Sequence, residues 1–357
     1  MCAAPTSHVS VFGANPHFRS HSVVGRTVGP VTALALSHDH TYVASGHASG
    51  HIQLFELSKP QTLARFVAPI TLSAVLSGRK EGHLVGTRIS SIGFIAGRHT
   101  AIVSADEYGL AFYHSLGKVL FVEAADTLRI LGKYPQDGVD AISRSTSASS
   151  QARSTDSMST PLRGPKTRYT ILAMMPLPLG TSPHPTDAYN LVALLTPAKL
   201  VIVGLKPTPR TWFKRSRADA AANTSGSKFK WKGSLAWFPS TPPSPDGKID
   251  PNQKKAAVPD QRAPSLAPRL VYSWGNTLHL IRVSESKIKR TVRNPRTGKK
   301  TDIDVGNVVF EDVGEWRSED AIHSVQWLNV NVSEFVAVHR LLVLTKLSLC
   351  SKLLSSH

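Results

Sequence analysis

The sequence predicts an all-β fold of the WD-type β-propeller class, and three observations lead to this prediction. Short apolar runs alternate with period two, and tight polar turns join them. One such unit, residues 31–57 (VTALALSHDHTYVASGHASGHIQLFEL), recurs as residues 89–116 (ISSIGFIAGRHTAIVSADEYGLAFYHSL). The repeat matters because one blade cannot bury both of its own faces, so neighbouring copies must stack against each other.

The first unit contains three predicted strands separated by two turns. Asp39 lies in the first turn, and Gly46 and Gly50 bound the second. Phe55 and Glu56 end the third strand at the position where WD-type repeats carry Trp-Asp. Strands of even length with tight turns are what a propeller blade requires.

The second unit matches the first in its turns as well as its strands. Asp106 and Gly109 define its second turn, and Gly109 corresponds to Gly50. Tyr108 stands where such repeats usually carry an aspartate, and His114 begins the His-Ser pair that replaces Trp-Asp. We therefore expect the buried His-to-Asp network of strong WD repeats to be missing, so that apolar packing holds these blades together.

The rest of the chain predicts about five blade-like units, several of them incomplete. We expect one divergent propeller over residues 1–345, followed by an aberrant or disordered tail at 346–357. Segments rich in Ser, Thr, Pro or basic residues interrupt it and are predicted to be disordered or looped insertions. These insertions are residues 143–167, 206–232, 239–268 and 284–300.

Local patterns place further elements between the insertions. Residues 70–78 predict a short helix with Thr71 as its cap and Gly78 as its end. Residues 270–283 predict a hairpin that turns at Gly275. In the last unit, we expect residues 321–328 and 341–345 to form strands, residues 332–340 to be an intrusion, and no third strand to follow.

Charge is concentrated in two of the predicted loops. The formal net charge is +18, of which residues 206–232 supply +7 (eight basic, one acidic) and residues 284–300 supply +6 (seven basic, one acidic). Cations interleaved with aromatic residues suit an anionic surface, so we predict contacts with such a surface there. The candidate residues are Lys214, Arg215, Arg217, Lys228, Lys230 and Lys232.

Composition and motifs disfavour several functional classes. Cys2 and Cys350 are the only cysteines, which argues against a disulfide framework or a zinc site and favours a reducing compartment. No signal peptide and no membrane-spanning apolar run are expected. The pair His47 and His51 and the carboxylates of Asp106 and Glu107 are expected to be solvated. With no phosphate-binding loop and no nucleophile elbow, we expect neither an enzyme nor a cofactor or metal site.

The likeness to a known family is detailed over residues 31–135. It is carried by four segments: residues 31–57, the stretch from LSGRKEGHLVG to AFYHSLGKVL, the run LRILGKY and the later AIHSVQWLNVN. Together they resemble the N-terminal propeller of the fungal vacuolar protein sorting-associated protein 8 family, the subunit specific to the CORVET tethering complex. Longer members continue into an α-solenoid and a RING-type zinc module, neither of which lies in these residues.

The resemblance implies a protein-docking role. Family members engage an endosomal Rab GTPase in its GTP state, assemble with other tethering subunits and support endosome-to-vacuole vesicle transport. The implied location is cytoplasmic and peripheral on endosomal or vacuolar membranes, where contact with anionic lipid is possible. The alternative from charge alone is a basic nucleic-acid or chromatin-associated WD-repeat adaptor, although the neutral strands make nucleic acid an unlikely partner. A third possibility is that this particular chain does not fold.

Overall fold

Antiparallel β-strands make up most of the described part of the chain in this computed structural model. The chain divides into two units: unit 1 comprises residues 1–94 and 98–171, and unit 2 comprises residues 95–97 and 172–357. The structure describes residues 7–11, 19–23, 28–59, 63–119, 122–134, 169–217, 231–241, 267–293, 300–332, 336–345 and 349–353.

Unit 1 contains two four-stranded antiparallel sheets, each with its strands in sequence order. A separate hairpin precedes them, formed by β1 (Ser7–Val11) and β2 (Arg19–Val23). The first sheet consists of β3 (Val31–Leu36), β4 (Tyr42–His47), β5 (Ile52–Glu56) and β6 (Leu63–Val67). The second consists of β7 (Ile89–Phe94), β8 (Ala101–Asp106), β9 (Ala111–Val119) and β10 (Val122–Leu131).

The two repeated segments form equivalent sheets, as predicted, and they stack on each other. Gly50 and Gly109 occupy the same turn position with φ of +87° and +88°, a conformation that glycine adopts without steric cost. Gly46 faces the neighbouring sheet so closely that a Cβ there would overlap the side chain of Ile89. The shared core consists of Ala44, Ile52, Leu54, Ile89, Ile92, Ile102 and Leu116.

The connection between these sheets contains the predicted helical turn. Helix α1 spans Leu72–Leu76; Thr71 Oγ1 accepts a hydrogen bond from the backbone N–H of Ala74 at 3.3 Å. Gly78 follows with φ of +68°. Each sheet also has a fourth strand, β6 or β10, that completes the blade beyond the three-stranded unit read from the sequence.

Unit 2 contains two four-stranded sheets and one three-stranded sheet. The third sheet of the chain consists of β11 (Ala173–Pro176), β12 (Leu191–Leu195), β13 (Lys199–Gly204) and β14 (Arg210–Ser216). The fourth consists of β15 (Gly233–Phe238), β16 (Arg269–Trp274), β17 (Thr277–Arg293) and β18 (Lys300–Arg317). The fifth consists of β19 (Ile322–Val332), β20 (Val336–Thr345) and β21 (Leu349–Leu353).

Aromatic and aliphatic side chains from the third and fourth sheets form one core. Tyr272 and Leu270 are fully buried, and the indole N–H of Trp274 donates to the carbonyl of Thr196 at 2.9 Å. The β16–β17 hairpin turns at Gly275, which confirms the sequence prediction. The four four-stranded sheets and the three-stranded sheet agree with the predicted number of about five blade-like units. Several units were predicted to be incomplete, whereas four of the five described sheets have all four strands.

Two of the predicted basic loops contain regular strands. Within residues 206–232, β14 pairs with β13, and its Trp212 and Phe213 pack against the core of unit 2. Within residues 284–300, β17 and β18 extend as a hairpin as far as the pair Arg293 and Lys300. These loop predictions were wrong because side chains alternate along a strand, so an outer strand can hold cations in solvent while its other face packs.

The end of the chain also differs from the prediction. Residues 336–345 form one continuous strand paired with β19, and β21 pairs with β20 as a third strand. The expected lack of a third strand was wrong. Residues 336–340 of the expected intrusion continue the strand of residues 341–345, since VAVHRLLVLT has the β-branched and apolar content that strands favour. The predicted insertion at 143–167 lies outside the described residues, as do residues 242–266 of the predicted insertion at 239–268.

Candidate interaction surface

A chain of buried polar side chains joins the connection before β7 to the second sheet. His83 Nδ1 lies 2.8 Å from Asp106 Oδ2, and its Nε2 lies 2.7 Å from Ser104 Oγ. Ser104 Oγ is also 2.7 Å from His114 Nε2, and His114 Nδ1 is 3.0 Å from Thr127 Oγ1. A carboxylate can only accept hydrogen bonds. Every bond has one donor and one acceptor when each group donates to the next in the order Thr127, His114, Ser104, His83 and Asp106.

This arrangement is the His-to-Asp network that the sequence was expected to lack, and that expectation was wrong. The network begins at Gly82-His83, the Gly-His dipeptide that marks WD-type repeats. Its aspartate is Asp106. This residue lies two positions before Tyr108, where the repeat pattern leads one to expect the aspartate. His114 takes the place of the repeat's tryptophan.

Asp106 is fully buried, in contrast to the solvated turn expected for it. Its second carboxylate oxygen accepts backbone hydrogen bonds from Tyr108 and Leu110, both at 3.0 Å. The turn therefore closes over the carboxylate, which compensates for its removal from water. Three donors converge on this one side chain.

The connectivity of Ser104, His83 and Asp106 matches that of a Ser-His-Asp catalytic triad, but the cluster is inaccessible. Ser104 and Asp106 have no exposed surface and His83 has 2%. Burial, followed by repulsion from His83, lowers the pKa of His114 to about 3, so the His114 imidazole is neutral at physiological pH. A nucleophile needs contact with substrate, which this buried cluster cannot have. Its role is structural, because its hydrogen bonds link elements of the blade to each other.

The first sheet uses different residues at the equivalent positions. His47 replaces Asp106 and is buried, with Nε2 3.1 Å from Ser45 Oγ and Nδ1 2.9 Å from the carbonyl of Gly29. Burial lowers the pKa of His47. The prediction that His47 is solvated was therefore wrong. Phe55, at the position equivalent to His114, is also buried.

Asp39 lies in the β3–β4 turn, as predicted. Its carboxylate accepts from Ser37 Oγ at 2.7 Å and from Thr41 Oγ1 at 2.8 Å, and His99 Nε2 lies 3.3 Å away. Desolvation raises the pKa of Asp39, but these hydrogen bonds and His99 outweigh it and lower the pKa to about 2. Among the described residues, no cluster of His, Cys, Asp and Glu is arranged to hold a metal ion.

Four large apolar side chains are exposed near the connection before β7 and the inter-strand turns of unit 1, and we call them the turn surface. They are Leu76, Val85, Tyr108 and Tyr169, with 69%, 62%, 51% and 50% of their surface exposed. Val85 is held near the β4–β5 turn, because the next residue, Gly86, donates its N–H to Ser49 at 3.1 Å. Tyr169 lies against Gly109, where a Cβ would overlap the Tyr169 carbonyl oxygen.

Hydrogen bonds hold the connection that carries part of the turn surface. The Tyr134 hydroxyl donates to the Gly82 carbonyl and accepts from the Gly82 N–H, both at 2.8 Å. Glu81 pairs with the guanidinium of Arg129 at 3.3 Å and accepts the Arg129 backbone N–H at 3.0 Å. These contacts fix the backbone on which Val85 is displayed, as a preorganised binding surface requires.

The predicted anionic-surface residues occupy several environments. Lys214 is exposed on β14, whereas Arg215 donates to the Tyr272 hydroxyl at 2.9 Å and pairs with Asp312. Arg217 is half-buried, and Lys232 Nζ lies 3.4 Å from His323 Nδ1. Lys228 and Lys230 lie outside the described residues.

The repeated antiparallel sheets and the His83–Asp106 network define a β-propeller protein of the WD type. The chain belongs to the Vps8 beta-propeller family, whose model matches residues 3–346. No curated protein matches the sequence. A solved structure titled "Crystal Structure of Mitotic Checkpoint Complex" aligns with 98% of this chain and 72% of its own chain, at 13% identity and a TM-score of 0.43, too distant to support an argument.

Family membership identifies the chain as a vacuolar protein sorting propeller and indicates a scaffold role in a tethering complex with other subunits. In the described part of the chain, no helix is both long and apolar enough to cross a bilayer. Of the blade-turn residues named from the sequence, Asp39, Gly50 and Gly109 lie between strands, whereas Gly46 lies in β4 and Asp106 ends β8. The sequence analysis missed the buried network and the turn surface.

Proposed function

We propose that this chain is a non-enzymatic docking platform of a CORVET-like tethering complex, which binds a Rab GTPase in its GTP state. In this role it supports endosome-to-vacuole vesicle transport from the cytoplasmic side of endosomal or vacuolar membranes, together with other tethering subunits. The match of the family model over residues 3–346 carries the proposal.

The turn surface is the proposed contact for the GTPase. It presents two tyrosines and two aliphatic residues whose side chains are each at least half exposed, and aromatic residues are enriched at the energetic centres of protein interfaces. Stacked sheets with a tied connection give these side chains a rigid support. The switch loops of a GTPase are ordered by the γ-phosphate, so a rigid apolar surface selects the ordered, GTP-bound form.

Binding of an endosomal Rab GTPase, loaded with a GTP analogue or with GDP, tests the proposal on the full chain. We expect the GTP-analogue form to bind more tightly. The substitutions Tyr108→Ala and Val85→Ser should each weaken binding at least about fivefold, since truncating a central interface residue costs more than about 1 kcal/mol. Leu128→Ser is the matched control, because Leu128 is an exposed apolar residue on β10.

The outcomes separate the two parts of the proposal. Equal affinity for both nucleotide forms would contradict recognition of the GTP state. Selective binding that survives both turn-surface substitutions unchanged would contradict the location of the contact. A loss with Leu128→Ser equal to that with Tyr108→Ala would do the same.

The alternative of a nucleic-acid adaptor is weakened by the acids among the basic strands. Asp312 pairs with Arg215, Glu311 lies 3.9 Å from Arg282, and Asp302 accepts from the Thr291 hydroxyl at 2.6 Å. Carboxylates in these positions repel a phosphate backbone. Steep salt-dependent retention on a polyanion column would favour the alternative.

A further inference from the structure

A groove with a volume of about 560 Å³ lies in unit 2 between the end of β14 and the β17–β18 ribbon. Three arginines line it: Arg215 and Arg217 at the end of β14, and Arg317 at the end of β18. Asp312 and Glu315 of β18 are the two carboxylates in its lining. The arginines therefore exceed the carboxylates by one charge.

Charged groups of both signs lie near His279 inside the groove. His279 lies in its wall and stacks on Tyr272, with ring centroids 4.8 Å apart. Burial lowers the pKa of His279; Glu315, 3.6 Å away, opposes this, while the charges of Arg215 and Arg217 lower the pKa further. Arg215 and Arg217 therefore both lie near His279, together with the opposing carboxylate of Glu315.

The groove also has an apolar contact point beside the arginines. Val313 is the extra residue of a β-bulge, since Leu280 pairs with Gly314 and Ile281 pairs with Asp312. Its side chain is 48% exposed in the groove wall. An occupant therefore meets both cationic and aliphatic side chains.

We propose that this groove binds an acidic peptide segment of a protein partner, with carboxylates on Arg217 and Arg317 and an apolar side chain on Val313. The planar fork of a guanidinium matches a carboxylate bidentately, which favours arginine-lined sites for such groups. A densely charged phosphate headgroup fits less well, because Asp312 and Glu315 share the groove. The proposal concerns unit 2 and does not depend on Rab binding by the turn surface.

Fluorescence anisotropy with the full chain tests the groove. The probe is a fluorescein-labelled octapeptide of alternating glutamate and leucine, and the matched control peptide replaces glutamate with glutamine. We expect saturable binding of the glutamate peptide only, weakening as salt is raised because the contacts are charge-assisted. Phosphatidylcholine vesicles with and without phosphatidylinositol 3-phosphate form a separate arm.

Single substitutions locate the peptide. Arg317→Gln and Arg217→Gln should each weaken binding about fivefold or more, as the loss of one charge-assisted contact implies. Asp312→Asn should strengthen binding about threefold, because it removes a carboxylate that repels the peptide and occupies Arg215. Arg282→Gln is the control, since Arg282 is a partly exposed arginine of β17 outside the groove.

Three results would overturn the proposal. The first is equal affinity for the glutamate and glutamine peptides. The second is unchanged affinity in both Arg317→Gln and Asp312→Asn, two exposed positions whose substitution leaves the core intact. The third is binding to the phosphoinositide vesicles without binding to the peptide, which would assign the groove to a membrane surface.

Discussion

Replacement of Asp106 by alanine tests whether the buried network holds the second sheet together. The substitution removes the acceptor for His83 Nδ1 and for two backbone N–H groups, those of Tyr108 and Leu110. Each buried donor left without its acceptor costs about 1 to 3 kcal/mol, and three donors lose theirs here, so we expect a loss of about 3 to 5 kcal/mol. Asp106→Asn keeps an oxygen for the backbone donors, so we expect it to cost about 1.5 to 3 kcal/mol, the value of one hydrogen bond to a charged group.

Hydrogen–deuterium exchange of the β8 and β9 amides measures this loss locally. Where reclosing is fast, a loss of about 3 to 5 kcal/mol accelerates exchange by about two to four orders of magnitude. All six tryptophans belong to unit 2, so tryptophan fluorescence follows that unit separately. Exchange and fluorescence together show whether the effect is confined to unit 1.

Asp39→Ala provides the control for Asp106→Ala. Asp39 is also a turn aspartate that accepts from nearby hydroxyls, but it is exposed to water. We expect its loss to change exchange in β3 and β4 far less than Asp106→Ala changes exchange in β8. Less than tenfold acceleration in Asp106→Ala, or equal effects of the two substitutions, would refute the reasoning.

Two further predictions concern His114 and Gly109. The pKa of His114 is lowered to about 3 in the folded chain, so below about pH 6.5 the unfolded state binds the extra proton and stability falls as pH falls, by up to about 1.4 kcal/mol per pH unit. His114→Gln should flatten this dependence in urea unfolding between pH 7 and 5; an unchanged slope would contradict it. Gly109→Ala should destabilise by more than about 2 kcal/mol in thermal melts, because its Cβ would overlap Tyr169, whereas Gly78→Ala, with open space around it, should cost about 1 kcal/mol. Equal costs would show that the overlap is relieved.

The sequence predicted the repeated sheets well because their determinants are local. Alternating apolar residues and a glycine at a fixed offset recur in both segments, and Gly50 and Gly109 adopt the same positive φ. The helix cap at Thr71 and the hairpin turn at Gly275 are equally local. A pattern contained within a few residues needs no knowledge of what packs against it.

The basic segments were misread because composition dominated the interpretation. Residues 284–293 contain four cations, yet they pair residue by residue with β18. Similarly, β14 places Trp212 and Phe213 on the core while Lys214 remains exposed. Charge density identified the surface character of these strands but not their backbone conformation.

The buried network was missed because its members are distant in sequence and weakly marked. His83 and Asp106 are separated by a connection and two strands, and each residue alone is compatible with a polar loop. The Gly82-His83 dipeptide was the available signal, and it becomes informative only with a buried aspartate in the following turn. Burial distinguishes a buried network from a polar loop, and burial is defined only once the sheets are assembled.

The same network also positions the proposed contact for the GTPase. His83 is two residues from Val85, and Asp106 is two residues from Tyr108. The pair between His83 and Asp106 therefore fixes both backbones that display the turn surface. Loss of Asp106 should weaken binding together with local stability, whereas loss of the exposed Tyr108 side chain should weaken binding alone. A variant of Asp106 that loses stability but keeps full affinity would separate the scaffold from the contact.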